Sequence, residues 1–136
     1  LAMYSSVCYI FSVNYCTIHS TGFPMRRASM NSQFKKGALE LIVLLIIKRD
    51  DQYGYSLVQN ISRYMTIAEG TVYPLLRRLV KSGELATYYQ PSTEGPARKY
   101  YQITNQGEQR LNLLLDEWQA FSGAVNQFIR ESESNE

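Results

Sequence analysis

A chain of 136 residues, 45% hydrophobic and 19% charged, suits one globular domain with a real core. It is too short for a catalytic barrel or a two-domain enzyme, and its composition excludes wholesale disorder, collagen-like repeats and disulfide-dense scaffolds. The net charge of +2 hides an asymmetry: ten basic against six acidic residues between Met30 and Ile103 leave +4, whereas two against six from Thr104 onward leave −4. A basic front and an acidic tail direct the front towards a polyanion.

Cys8, Cys16 and the only histidine, His19, all lie in the first twenty residues. The body after Met30 therefore carries no Cys/His metal site and no Cys–His or Ser–His nucleophile. It has no glycine-rich phosphate loop either. The expectation is a protein that is not an enzyme and uses no cofactor or metal. A cysteine-free body also fits a reducing, cytoplasmic compartment.

Residues 1–29 read differently from the rest. They contain no acidic residue, and Arg26 is their first basic one. Val7, Tyr9, Ile10, Phe11 and Val13 form an apolar patch, but it falls short of the roughly 20 residues a membrane span needs. A secretory signal would need a basic start and a small-residue cleavage site, and neither is clear. The expected reading is an extension outside the main body, compatible with disorder, with Met25 or Met30 as the natural start and no membrane partner. Arg26–Arg27–Ala28–Ser29 has the form of a basophilic kinase site, a match short enough to arise by chance.

From Phe34 to Arg49 the spacing of Leu39, Ile42, Val43, Ile46 and Ile47 predicts a helix, and Leu41, Leu44 and Leu45 fill its other side. A helix apolar nearly all round must be buried nearly all round, in the core or against a partner. Asp50–Asp51–Gln52 ends it. A second helix is expected from about Tyr53 to Met65, with Leu57, Ile61, Tyr64 and Met65 inward and Gln59, Asn60 and Arg63 outward. A third is expected from about Glu69 to Ser82. It buries Val72, Leu75, Leu76, Leu79 and Val80, and Gly83 stops it. Thr66 and Glu69 have capping-box spacing, and Pro74 is best tolerated near a helix start.

Two Tyr- and Thr-rich segments follow, Glu84–Gln90 and Arg98–Thr104. The turn formers of 91–97 between them predict a β-hairpin with a long mobile tip. From Thr104 to about Glu131 a last helix places Leu111, Leu114, Trp118, Phe121, Val125 and Phe128 at alternating three and four spacing, the a/d seam of a dimer interface. Three helices, a hairpin and a long helix make a mostly α fold with a small β-hairpin: a winged helix-turn-helix plus a long C-terminal dimerisation helix. The expected organisation is an extension at 1–29, a DNA-binding domain at 30–103, a dimerisation helix at 104–131 and a tail at 132–136.

The third helix is the expected DNA reader. Its outer side offers Arg77, Arg78 and Lys81 to phosphates or guanine edges, and its start near Gly70 and Thr71 offers N–H groups to a phosphate. Arg98 and Lys99 supply the wing. Each feature has a plainer reading: a solvated helix face, or strand-edge cations that block aggregation. The alternative function is a winged-helix module that binds protein and not DNA.

Tyr53–Gly54–Tyr55, the stretch G-T-V-Y-P-L-L-R-R-L from Gly70 to Leu79, Gly83–Glu84–Leu85, and R-K-Y-Y-Q-I-T from Arg98 to Thr104 with Gly107 follow in order. This pattern, over Met30 to about Arg130, resembles the PadR family of bacterial transcriptional regulators, short branch. The resemblance implies a homodimeric repressor that binds a double-stranded DNA operator and responds to small aromatic or toxic compounds. It assigns DNA contacts to Thr71, Tyr73 and Arg77 and to the basic wing at Arg98 and Lys99. It also implies that Trp118, with Phe121, meets a flat hydrophobic effector between the two subunits; read from spacing alone, Trp118 is a seam residue. The sequence departs from the family at Ala68 and Glu69, where serine then proline often precede the Gly-Thr.

Overall fold

The computed structural model describes residues 32–134, with side chains from Ala38 onward. The extension at 1–29, its kinase-like Arg26–Ser29, and the side chains of Lys35 and Lys36 lie outside the described residues. The elements in order are α1 (Ser32–Arg49), β1 (Gln52–Tyr53), α2 (Gly54–Ser62), α3 (Glu69–Lys81), β2 (Leu85–Ser92), β3 (Gly95–Ile103) and α4 (Asn105–Glu133). The chain is mostly helical with one small antiparallel sheet, strand order β1-β3-β2.

The apolar belt of α1 puts that helix in the middle. Val43 and Leu44 are fully buried, Leu39, Leu41 and Ile47 nearly so. Against them pack Leu57, Val58 and Ile61 of α2, Val72, Leu76 and Leu79 of α3, and Leu85, Tyr101 and Leu111. Each such aliphatic side chain contributes about 1.5–3 kcal/mol on burial, so the three-helix core closes within one chain.

Several local expectations need correction. Helix α2 begins at Gly54, because Gln52 and Tyr53 are drawn into a third strand that pairs with Tyr101 and Tyr100. Tyr53, the N-cap, makes no side-chain cap bond. The start of α2 is instead held by Gln52, whose Oε1 lies 2.9 Å from Ser56 Oγ and accepts from Asn60 Nδ2 at 3.1 Å. Because α2 ends at Ser62, Tyr64 falls beyond its last turn and stays exposed, and Val58 takes an inward place. The Thr66–Glu69 capping box does not form: the N-cap of α3 is Ala68, with no side-chain bond. The hairpin tip is not long. Strands run to Ser92 and from Gly95, with a register irregularity between Gln90 and Ser92 where Pro91 sits. Ser92 Oγ accepts the Glu94 N–H at 3.4 Å across the turn.

A junction ties α3, the sheet and α4 together. Gly83 has φ of +81°, the left-handed conformation that ends a helix at low cost in glycine. Thr104 caps α4. Its hydroxyl donates to the Gly83 carbonyl at 2.6 Å and accepts the Gly107 N–H at 3.1 Å, while its own N–H donates to the Glu84 carbonyl at 3.1 Å. Gln106 Nε2 donates to the Ser82 carbonyl at 2.8 Å.

A Cβ added at Gly107 would stand 2.1 Å from the Glu84 carbonyl oxygen and 2.8 Å from Ile103 Cγ1. Gly107→Ala should therefore cost at least the roughly 1–3 kcal/mol typical of overpacking. Gly123, with nothing within 4 Å of an added Cβ, should gain about 0.5–1 kcal/mol as alanine. Thermal denaturation of both variants checks this: the melting temperature should fall for the first and rise for the second, and a shift of the same sign in both would contradict the placement of Gly107.

Candidate nucleic-acid interface

Burial of Val72, Leu76 and Leu79 fixes how α3 is rotated. At about 100° per residue, the opposite side then carries Gly70, Tyr73, Arg77 and Lys81 in one row, and all four are exposed. Pro74 stands beside the row. It removes an N–H that would have gone to the Gly70 carbonyl, on the solvent side where water can replace it. Thr71 lies at the flank and is exposed. Its N–H is already committed to the Ala68 carbonyl at 3.0 Å, so it is not among the N–H groups the helix start can offer.

Arg78 does not belong to the row. Its Nη2 donates to Glu40 Oε2 of α1 at 2.6 Å. The same carboxylate accepts from Arg110 Nε at 2.9 Å on its other oxygen. A second ion pair, Lys48–Glu108, also joins α1 to α4.

Tyr73 is positioned by a glycine. A Cβ at Gly54 would lie 2.6 Å from Tyr73 Cε1, so the bare backbone at the start of α2 is the seat of this ring. The tyrosine remains 37% exposed and presents its free part beside Arg77.

The wing divides its two cations between faces, because successive strand residues alternate. Lys99 shares the helix-facing side with Tyr101, its Nζ 5.8 Å from the Tyr101 ring centroid, and pairs in register with Tyr89. Burial pushes the Tyr101 phenol above its ordinary range. Tyr73 and Tyr89 push it the same way and Arg77 opposes them. Arg98 points to the other face, 4.8 Å over the Tyr53 ring. There Tyr53, Tyr100 and Tyr88 form a row with successive ring centroids 5.5 Å apart, and the Tyr88 hydroxyl donates to Asp51 Oδ2 at 2.8 Å.

The exposed Tyr73, Arg77 and Lys81 of α3 and the exposed Tyr89 and Lys99 of the wing thus stand on elements that pack together, α3 on β2; Arg78 and Arg98 are engaged by Glu40 and Tyr53. Tyr89 was missed in the sequence, and Gly54 was named only within the Tyr53–Gly54–Tyr55 motif, without a role. Alternation from the buried Tyr101 through Lys99 would have found the first; the role of the second exists only against Tyr73.

On α4 the predicted seam splits. Leu111 is 4% exposed and belongs to the chain's own core, which leaves it little surface for a partner. Leu114 is half-buried. Trp118, Phe121, Val125 and Phe128 are exposed, Phe128 at 73%, and Ile129 joins them. The rings of Trp118 and Phe121 lie 6.4 Å apart on this open side.

The PadR-like family model of transcriptional regulators matches residues 43–113. A Streptococcus transcriptional regulator is 37% identical, covering 72% of this chain and 98% of its own, with a TM-score of 0.65. A PadR-like transcriptional regulator from Bacillus cereus is 36% identical, covering 72% of this chain and 97% of its own, with a TM-score of 0.67. An uncharacterised protein of Lysinibacillus sphaericus is 34% identical over 104 residues, 74% of this chain and 95% of that one. The chain belongs to the PadR-like family of transcriptional regulators.

PadR-like regulators are DNA-binding transcription factors and not enzymes, which favours the DNA-binding reading over the protein-binding module. The motifs of the PadR-like resemblance now have physical reasons. The tyrosine of G-T-V-Y-P needs the glycine of Y-G-Y beneath it. The threonine and glycine of Y-Y-Q-I-T-N-Q-G cap α4 and admit the Glu84 carbonyl. No helix among the described residues is long and apolar enough to cross a membrane.

Glu40 carries a pH signature. Its partial burial alone would push the carboxyl up. Hydrogen bonds and charge from Arg78 and Arg110 outweigh that and hold it below its ordinary 4.5. A depressed folded-state value contributes stability that is fully present above the unfolded value, near 4.5, and is lost as pH falls through the folded value. The unfolding free energy of the parent minus that of Glu40→Gln should therefore be flat above about pH 5.5 and shrink below 4.5. A difference that stays constant down to pH 3 in chemical denaturation would contradict the bridge.

Proposed function

We propose that this chain is a homodimeric, sequence-specific repressor that reads a double-stranded operator with α3 and the wing and is released by flat hydrophobic compounds bound near Trp118. The observation that carries the reading is the exposed row Tyr73, Arg77 and Lys81 on α3, a helix that packs on β2 of the wing, where Tyr89 pairs with Lys99 and both are exposed. Arg77 has the chemistry for a bidentate bond to guanine. Lys81, Lys99 and the flanking Thr71 suit phosphates, and Tyr73 adds a hydroxyl and an apolar edge. Arg78 and Arg98 take part only from the margins, since Glu40 and Tyr53 engage them.

A reader this small needs a second copy to span an operator. Two readers must stand about 34–36 Å apart to enter successive major grooves. The exposed α4 side of Trp118, Phe121, Val125 and Phe128, backed by Leu114, supports a twofold seam in which each residue meets its counterpart or neighbour. Two Trp118 rings brought together there suit planar aromatic compounds, which stack with about 0.5–1.5 kcal/mol beyond area burial. Binding releases DNA only if the ligand favours a dimer whose readers no longer match that spacing.

Three measurements test this. Arg77→Ala should weaken binding to the native promoter by about 1–3 kcal/mol and relax its sequence preference, whereas Lys99→Ala should weaken all sequences alike and lower the salt dependence by about one phosphate contact. Parent-like affinity in both would leave the basic surface without a DNA role. Phe121→Asp should shift the sedimenting species to monomer and lower operator affinity with it; a fully binding monomer would contradict the seam. Planar aromatic compounds should quench the single tryptophan and weaken DNA binding in parallel, and quenching without loss of DNA affinity would place the effector elsewhere.

A further inference from the structure

Glu40 is the only charged residue of α1 between Lys36 and Lys48. Its side chain is only 12% exposed, and each carboxylate oxygen is held by a different arginine: Oε2 by Arg78 of α3, Oε1 by Arg110 of α4. Arg78 sits one residue from Arg77, the centre of the exposed row, and Arg110 sits four residues before Leu114, where the open seam begins. Helix α3 packs on α2 and β2, and α4 on α1 and β3, rather than broadly on each other. The shared carboxylate therefore adds a polar tie between two helices whose buried residues already meet in one core cluster. The Gly83–Thr104 junction, in which the Thr104 hydroxyl donates to the Gly83 carbonyl, ties the residues just after α3 to the start of α4, and Glu40 adds a second tie through Arg78 in the last turn of α3.

We propose that Glu40 is a positioning residue that couples the tilt of α3 to that of α4, so that a displacement of α4 reaches the DNA-reading face through Arg110, the Glu40 carboxylate and Arg78. The proposal deepens the DNA-binding reading and rests on it for its biological meaning, but not for its test. The geometry has the form a relay needs: one low-exposure anion shared by two cations on separate elements. When Arg110 withdraws, Glu40 reorients towards Arg78, and the bond that restrains α3 changes length and direction. Coupling of this kind is reciprocal, so DNA held by α3 also biases α4. Truncating one partner of such a pair matters because it leaves the other charge poorly solvated.

The experiment is amide hydrogen exchange on the full chain, comparing parent, Arg110→Ala, Arg110→Lys, Glu40→Gln and the Glu40→Gln/Arg110→Ala double variant. Arg110→Ala alters α4 only, yet should speed exchange of the Leu75–Lys81 amides in α3 by about threefold or more while the β2–β3 amides keep the parent rate. Arg110→Lys, which retains the charge, should recover most of the protection. In the Glu40→Gln background, Arg110→Ala should add nothing at α3. Unchanged α3 exchange in Arg110→Ala overturns the proposal; so does faster exchange spread equally over the sheet, or an equal effect with glutamine at 40. Should Glu40→Gln fail to fold, the Arg110 pair in the parent background still decides. In parallel, operator affinity should fall about fivefold or more in Arg110→Ala. If Arg77→Ala leaves DNA binding at the parent level, the DNA-binding reading fails by itself, and the exchange pattern continues to judge the coupling.

Discussion

Gly107 lies so near the start of the sheet that a single added carbon would meet the Glu84 carbonyl oxygen at 2.1 Å. That carbonyl is also the acceptor for the Thr104 N–H, and the Thr104 hydroxyl bridges the Gly83 carbonyl to the Gly107 N–H. Four elements meet at these few atoms: the end of α3, the first residue before β2, the residue after β3 and the first turn of α4. The approach sets the direction in which the long helix leaves the domain. It also seats Leu111 in the core, and it brings Glu108 and Arg110 to Lys48 and Glu40. A bulkier residue at 107 would change all of these at once, because the neighbour that must yield is backbone rather than a flexible side chain.

Charge is distributed to suit that arrangement. Three exposed cations, Arg77, Lys81 and Lys99, stand on the outer side of α3 and the helix-facing side of the wing. The acidic residues of α4 are partly absorbed by α1 through Lys48 and partly displayed along the tail. The pleat divides the wing cations, so Lys99 and Arg98, adjacent in the sequence, belong to different surfaces. Arg98 lies over a row of tyrosines that braces the outer face across three strands. Adjacent cations in a strand should thus be counted as one contact on each face, not as a pair on one.

Much of this was legible in the residues because burial imposes a period. The stripe Val72, Leu75, Leu76, Leu79 and Val80 announced α3, and with it an outer side bearing Arg77, Arg78 and Lys81. The all-round apolar α1 announced a central helix. Gly83 announced a left-handed stop. What was not legible depends on contacts between distant segments. Strand β1 is two residues long, below any period, and exists because β3 offers a free edge to Gln52 and Tyr53. Tyr64 follows the apolar spacing of α2 yet is exposed because the helix ends two residues earlier. Arg77 and Arg78 both read as outward cations, and the partner that engages Arg78 is a carboxylate 38 residues away. Leu111 and Leu114 share a heptad, yet the Gly107 approach pulls the first into the chain's own core.

Helix α4 is therefore two structures in one rod. Its first turns are fixed by a cap, two ion pairs and Leu111. From Leu115 to its end it extends roughly 27 Å at the standard rise per residue and turns apolar side chains outward. A tilt of about 10° at the fixed end would carry the far end by about 5 Å, taking the helix as a straight rod. In the proposed dimer that leverage also runs the other way. A ligand wedged between two copies of the rod needs only a small displacement in the seam to rotate each clamped end, and each clamped end carries a reader. Major-groove spacing tolerates little change, so the reader separation can leave its fit while every buried contact of the three-helix core stays in place. Such a device needs a stiff core and a stiff rod joined at a narrow clamp, the division made where Gly107 meets Glu84 and Arg110 meets Glu40.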